Sequence, residues 1–351
     1  MLETTDFLTR ARDLGEKVVV CFLDFAKAFD TVPHGRLIQK LQSYGIKGKL
    51  LDWCKAFLSE RRQRVVMGEH SSDWESVKSG VPQGSVLGPL FFVIFINDLP
   101  DNIRNLLKIY ADDSKLIAKI DCEEDVVRFQ QDLNEIDKGS KLWLLRLNPK
   151  KCKIMHFGGK SLDQEYKMDG ILLEETDLEK DLGVFISNDL SWAKQVEATT
   201  TKGYQMIGRI RRSFKHLNAQ NIKLLYQSLV RPHLEYAVSV WNPYKKNEIQ
   251  KMEKVQRYAT KMGSLKHMKY PKRLETLKLT SHQERRRRGD LIQQFKILKK
   301  VDIVNWCSKV CVVNSKVRGE KLAKDAKKLD SRLFFFKNRI VNDWNVLCEE
   351  V

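Results

Sequence analysis

Val18-Val19-Val20-Cys21-Phe22-Leu23-Asp24 is the stretch from which the rest of the chain can be read. Six apolar residues in a row describe a β-strand buried on both faces, because a strand with one wet face alternates. The run ends on a carboxylate. At the end of a buried strand such a group is costly unless it has something to bind. Downstream, Leu37, Ile38, Leu41 and Tyr44 recur at helical spacing up to Gly45, and Leu50, Leu51, Cys54, Phe57 and Leu58 form a second such face. Two short strands are expected around Arg64–Met67 and Trp74–Lys78. Val81-Pro82-Gln83-Gly84 then leads into a helix over about 85–97, apolar on most sides and so expected to be buried. Leu107–Ala111 and Ser114–Lys119 read as two strands with Asp112-Asp113 between them. Val126, Phe129, Leu133 and Ile136 mark a further helix. Cys152–Phe157 and Leu182–Ser187 read as strands, and Met168-Asp169-Gly170-Ile171 as a hairpin turn.

From Trp192 onward the pattern turns helical, and the charge turns with it. Residues 1–190 carry 27 Lys and Arg against 31 Asp and Glu; residues 191–351 carry 36 against 14. The first half is mildly acidic, and the second is a basic surface suited to a polyanion. With 351 residues, 42% hydrophobic and 31% charged, and only 18 Gly and 8 Pro, the chain is neither disordered nor collagen-like. Its longest apolar run, Val86 to Ile96, contains Gly88 and Pro89 and falls short of the roughly 20 residues a membrane span needs. The seven cysteines (Cys21, Cys54, Cys122, Cys152, Cys307, Cys311 and Cys348) form no CxxC, which argues against a disulfide frame or a zinc module. A soluble, intracellular protein of the nucleus or cytoplasm is expected, with no membrane partner.

Asp24, Asp112 and Asp113 are the acids to which chemistry can be attached. Taken singly, each reads as a strand-end or turn residue. Brought together they repel one another, a repulsion that divalent cations relieve. Magnesium favours a few carboxylates completed by water and substrate phosphates. That arrangement serves two-metal phosphoryl transfer. Asp30, six residues on, reads as a structural acid or helix cap rather than a ligand.

Three segments in order, Phe22-Leu23-Asp24-Phe25-Ala26-Lys27-Ala28-Phe29-Asp30, Ser79-Gly80-Val81-Pro82-Gln83-Gly84-Ser85-Val86-Leu87-Gly88-Pro89 and Tyr110-Ala111-Asp112-Asp113, closely resemble the palm of reverse transcriptases. In detail they are similar to the non-LTR (LINE-type) retrotransposon branch, nearest CR1/Jockey-like elements. The resemblance continues through Leu147–Lys153, Lys180–Val184, Leu229–Tyr236, Val255–Lys261 and Arg288–Ile292, covering about residues 17 to 347. It implies an α/β palm over 1–190, a thumb-like helical region over 191–265 and a basic helical C-terminal region over 266–351. It further implies RNA-directed DNA polymerase activity on an RNA template, a DNA primer and deoxynucleoside triphosphates, with two Mg2+ ions or Mn2+ in their place.

The resemblance also distributes roles. Asp24, Asp112 and Asp113 match the metal-binding acids, and the Phe25 carbonyl a further ligand. Phe29 matches the aromatic gate that excludes a 2′-hydroxyl, although its ring alone would read as core. Gln83 and Gly84 match contacts to nucleotide and template. Lys151 matches a lysine beside the leaving pyrophosphate, or is simply a solvated lysine. Leu182-Gly183-Val184 matches the strand gripping the primer end. In the basic half, Arg211, Arg212 and the run Arg285, Arg286, Arg287 and Arg288 are the candidate nucleic-acid contacts, with Tyr204, Tyr226, Tyr236, Trp241, Tyr244 and Tyr258 interleaved. A fragment of about 191–351 is expected to bind RNA by itself. Enzymes of this class carry a fingers region and an endonuclease upstream, and only 23 residues precede Asp24. The expectation is therefore a truncated copy with impaired synthesis; the alternative is a non-catalytic nucleic-acid-binding remnant.

Overall fold

Helix α1 (Leu2–Leu14) precedes the central strand β1 (Val18–Leu23), whose residues are almost all buried as the unbroken apolar run requires. The computed structural model describes residues 1–159, 164–307, 312–315, 319–324 and 327–347, so Cys311 and Cys348 lie outside the described residues. The chain divides into two units, one of residues 16–177 and one of residues 1–15 with 178–351.

In the first unit β1 is followed by α2 (His34–Ser43), α3 (Gly48–Leu58), α4 (Leu87–Ile96), β2 (Leu106–Tyr110), β3 (Asp113–Lys119), α5 (Glu123–Leu142), β4 (Lys153–Phe157) and β5 (Glu174–Glu175). The sheet order is β5-β4-β1-β3-β2. Antiparallel β1 sits between β3, in register Val18↔Lys119 to Leu23↔Ser114, and β4, in register Val18↔Phe157 to Phe22↔Lys153. Among the described strands of this sheet, only β5 runs parallel to its neighbour. A continuous core joins β1 (Val19, Cys21, Leu23) to α2 (Leu37, Leu41), α4 (Phe91, Phe92, Phe95) and α5 (Phe129, Leu133, Ile136).

Two expectations change. The apolar helix α4 is not buried all round: Val86, Leu90 and Val93 form an exposed stripe at helical spacing. Leu182-Gly183 is not strand but the two-residue turn of a hairpin, Leu178–Asp181 with Val184–Ser187, both turn residues having positive φ. The expected turn at Asp169-Gly170 is present between Lys167–Met168 and Ile171–Leu172.

The second unit is mainly helical, with α6 (Ala193–Ser213), α7 (Lys246–Thr260) and α8 (His282–Leu298) as its long members. Its core includes Ile207, Tyr226, Val230, Leu234, Trp241, Met252 and Val255. A strand pair, Val312–Ser315 with Gly319–Leu322, interrupts the helical pattern. Helix α1 joins this unit through buried Leu8 and Ala11 and through polar contacts. Asp6 is fully buried and pairs with buried Arg332 at 2.6 Å, and Asp13 accepts from the backbone N–H groups of Lys328 and Leu329, each at 2.9 Å. No helix among the described residues is long and apolar enough to cross a membrane.

Candidate active site

The end of β1 and the turn between β2 and β3 lie at the same edge of the sheet. The pairing Leu23↔Ser114, carried one residue further, sets Asp24 level with Asp113. Tyr110↔Asp113 closes the β2–β3 hairpin, leaving Ala111-Asp112 as its two-residue turn. Ala111 holds φ at 53°, a region that costs an alanine about 1–3 kcal/mol and persists only where the surroundings fix it. That turn presents Asp112 to solvent beside Asp113, both exposed.

Beyond β1 the chain keeps a partner. Ala26 N–H donates to the Arg146 carbonyl at 2.8 Å, and Asn148 N–H donates to the Asp24 carbonyl at 2.8 Å. This fixes the Asp24 backbone against the 146–152 segment and brings Lys151 Nζ to 3.9 Å from Asp24 Oδ1. Both side chains are well exposed, so the pair contributes little to stability; its significance is positional. Asp24 N–H also approaches Cys152 Sγ at 3.4 Å, and burial pushes that thiol up to about 11. Cys152 is therefore a neutral support under the site and not a nucleophile at neutral pH.

Of the other residues singled out, Phe25 is 6% exposed and its ring belongs to the core, which leaves only its backbone for chemistry. Phe29 is half-buried and stacks on Phe92 at a centroid distance of 4.5 Å. Gln83 and Gly84 are exposed, with Gly84 at φ 79°. The sequence offered no contact for Asp30, and the structure supplies one: Gln83 Nε2 donates to Asp30 Oδ1 at 3.0 Å. The two segments are laced together around this bond. Val81 N–H donates to the Phe29 carbonyl at 2.7 Å, Gly80 N–H to the Val32 carbonyl at 2.8 Å, and Ser79 Oγ to the Asp30 carbonyl at 2.9 Å. A Cβ on Gly80 would lie 2.7 Å from the Asp30 carbonyl oxygen, so only glycine allows this approach.

Among the described residues, no three His, Cys, Asp or Glu side chains gather into a closed metal cage. Magnesium does not need one, since one or two carboxylates with water and substrate phosphates complete its shell. The hard, exposed carboxylates at this sheet edge fit that open kind of site.

In the second unit the arginine run is dispersed around α8. Arg285 forms a two-pronged pair with Glu235 (2.6 and 2.9 Å), and Arg287 reaches Asp343 at 2.9 Å. Arg286 is 2% exposed, donates to Asn242 Oδ1 at 2.9 Å, and is held by burial at about 10. Its charge serves the fold and has no face for phosphate. Arg288 is exposed. Arg211 stacks on Tyr258 at 3.8 Å and donates to the Tyr258 and Lys261 carbonyls; Arg212 is exposed. Of the interleaved aromatics, Tyr226 and Trp241 are fully buried, whereas Tyr204, Tyr236 and Tyr258 are exposed. Tyr236 Oη donates to the Leu182 carbonyl at 3.0 Å, bracing the 178–187 hairpin.

Comparison with known proteins follows the same outline. The family described as reverse transcriptase (RNA-dependent DNA polymerase) matches residues 2–225. A probable RNA-directed DNA polymerase from transposon BS of Drosophila melanogaster is 28% identical over 276 residues, 73% of this chain and 30% of that protein. The RNA-directed DNA polymerase from mobile element jockey of Drosophila funebris is 27% identical over 264 residues, 72% of this chain and 29% of that one. The chain thus spans about 30% of the length of these relatives. Apo telomerase from Candida tropicalis superposes with a TM-score of 0.43 at 11% identity, over 79% of this chain and 46% of that one. A match that takes in most of the chain, and includes both Asp24 and the Asp112-Asp113 turn, decides the classification: this chain belongs to the reverse transcriptase family, and within it to the non-LTR retrotransposon type.

Proposed function

We propose that the chain extends a DNA primer on an RNA template, with Asp24, Asp112 and Asp113 as the acids of a two-metal site. The observation that carries this reading is the β1–β3 register, which levels Asp24 with Asp113, together with Lys151 at 3.9 Å from Asp24. Asp24, Asp112 and Asp113, with the Phe25 carbonyl, would hold two Mg2+, or Mn2+. When bound, such ions lower the pKa of the attacking hydroxyl and steady the leaving pyrophosphate. The remaining work falls to the chain. Lys151, 3.9 Å from Asp24, would offer a cation and a proton to the leaving pyrophosphate. Gln83, steadied by Asp30, and Gly84 contact the nucleotide. The Phe29 ring, locked against Phe92, closes the space under the sugar, so deoxynucleotides are preferred. We further propose 191–265 as the thumb and 266–351 as a basic region that holds RNA, with exposed Arg212 and Arg288 available for phosphate.

Primer extension on a poly(rA)/oligo(dT) substrate with Mg2+ tests the reading. Asp24→Asn and Asp112→Asn should each lower the rate at least about a hundredfold, in line with the loss of a group that stabilises transition-state charge, while RNA binding stays within twofold. Full extension by the double variant would remove these residues from the chemistry. An inactive parent chain that still binds RNA tightly would favour the binding-remnant reading.

A further inference from the structure

The C-terminal ends of α6 and α7 frame a cleft of about 430 Å3, within the range of small-ligand sites. Its walls combine cations with flat rings: Arg211, Phe214 and Lys215 from the α6 end, Tyr258, Lys261 and Lys266 from the α7 end, and no acidic side chain. Phe214 and Tyr258 remain 46% and 42% exposed, and Tyr204 packs its ring at an angle against Tyr258 at 5.6 Å. Two helix C-termini meet here, and their terminal carbonyls alone would repel an anion. Arg211 answers part of that by donating to the Tyr258 and Lys261 carbonyls at 3.2 and 3.3 Å while lying over the Tyr258 ring. The three lysines, all exposed, then leave a net positive lining.

We propose that this cleft is a binding site for single-stranded nucleic acid, in which one unpaired base stacks on Phe214 and the flanking phosphates pair with Lys215, Lys261 and Lys266. The choice of occupant follows from the pairing of features. Cations alone would suit any polyanion, but an exposed ring such as Phe214 inside a cationic cleft favours a ligand that offers π faces between phosphates. A duplex presents its backbone and keeps its bases stacked away from such a ring. The proposal rests on the reading of the second unit as an RNA-binding surface, and is separate from catalysis at Asp24.

The test measures, on the full chain, anisotropy of a fluorescein-labelled 12-nucleotide single-stranded RNA and of the same sequence as a duplex. Phe214→Leu should weaken single-strand binding about tenfold, the size expected for losing one stacking partner, and shift duplex binding less than twofold. The double change K215E/K266E should lower the single-strand log–log salt slope by about 1.4, since each phosphate contact contributes roughly 0.7. Photo-crosslinking with a 4-thiouridine-substituted strand guards against misfolded variants, and should map to Phe214 or Tyr258 in the unaltered chain. If the unaltered chain binds neither RNA, the RNA-binding reading fails and takes this site with it. If it binds but the variants match it, if single strand and duplex weaken equally, or if crosslinks map only elsewhere, the cleft is not the site.

Discussion

Asp24 and Asp30 show how far single residues could be read. Asp24 was legible because six consecutive apolar residues put it at a buried strand end, and that strand forms over the same residues. Asp30 read as a structural acid or helix cap, but its partner was not legible, because Gln83 lies 53 residues away and the bond is tertiary. Its meaning comes from geometry: the carboxylate accepts from the amide of a proposed nucleotide contact, and positioning Gln83 is the role proposed for it. Both side chains are exposed, which limits the bond to the ordinary range of about 0.5–1.5 kcal/mol. Asp30→Ala should accordingly raise the nucleotide KM up to about tenfold. Asp30→Asn, whose amide oxygen still accepts from Gln83, should recover most of the loss. Steady-state extension at varied nucleotide concentration reads this out, and an unchanged KM in Asp30→Ala would mean that Gln83 needs no such support.

Elements with a local signature were read well, and those defined by phase around a helix were not. The β2–β3 and 167–172 hairpins announce themselves through apolar runs flanking a short polar turn. Four consecutive arginines read as one patch, but a helix turns about 100° per residue and cannot aim four neighbours at one surface. Helix α8 accordingly sends Arg286 inward to Asn242, pairs Arg285 with Glu235 and Arg287 with Asp343, and leaves Arg288 outside. Stability and RNA binding should therefore separate along the run. Arg286→Ala should cost about 1.5–3 kcal/mol of unfolding free energy, the value of a buried charge-assisted hydrogen bond. Arg288→Ala should cost under about 0.5 kcal/mol yet weaken RNA binding and flatten its salt dependence. Urea unfolding and anisotropy on the two variants decide, and equal effects in both assays would show that the run acts as one surface after all. The same argument from phase explains α4, whose apolar composition hid the exposed Val86, Leu90 and Val93 stripe.

At the scale of the molecule, the change of charge sign near residue 190 was visible in composition, but it does not mark where the chain divides. The division falls between Asp177 and Leu178, and the first fifteen residues join the second unit. The signal in α1 is weak, because the face it buries mixes Leu8 and Ala11 with polar Thr4, Thr5, Asp6, Thr9 and Asp13 and so shows no continuous apolar stripe. Its contacts add directed bonds to the packing of Leu2, Leu8 and Ala11. Arg332 donates to Asp6 Oδ1 at 2.6 Å and to Thr9 Oγ1 at 3.0 Å, Cys307 N–H donates to Asp6 Oδ2 at 2.8 Å, and Arg10 donates to the Cys307 carbonyl at 2.6 Å. Without α1, Arg332 is a buried cation with no carboxylate, a situation that costs about 3–5 kcal/mol. A fragment of 191–351 is thus a poor stand-in for the second unit, lacking both α1 and the 178–187 hairpin. A fragment of 178–351 should be destabilised, and a synthetic peptide of residues 1–15 should restore it. At a hundred times its dissociation constant the peptide contributes about 2.7 kcal/mol, or roughly 5–10 °C of melting temperature for a unit of this size. The same peptide carrying Asp6→Ala should do little, because it returns the helix without the partner of Arg332. A melting temperature indifferent to the unaltered peptide, or raised equally by both, would show that the Asp6–Arg332 pair does not tie the start of the chain to its end.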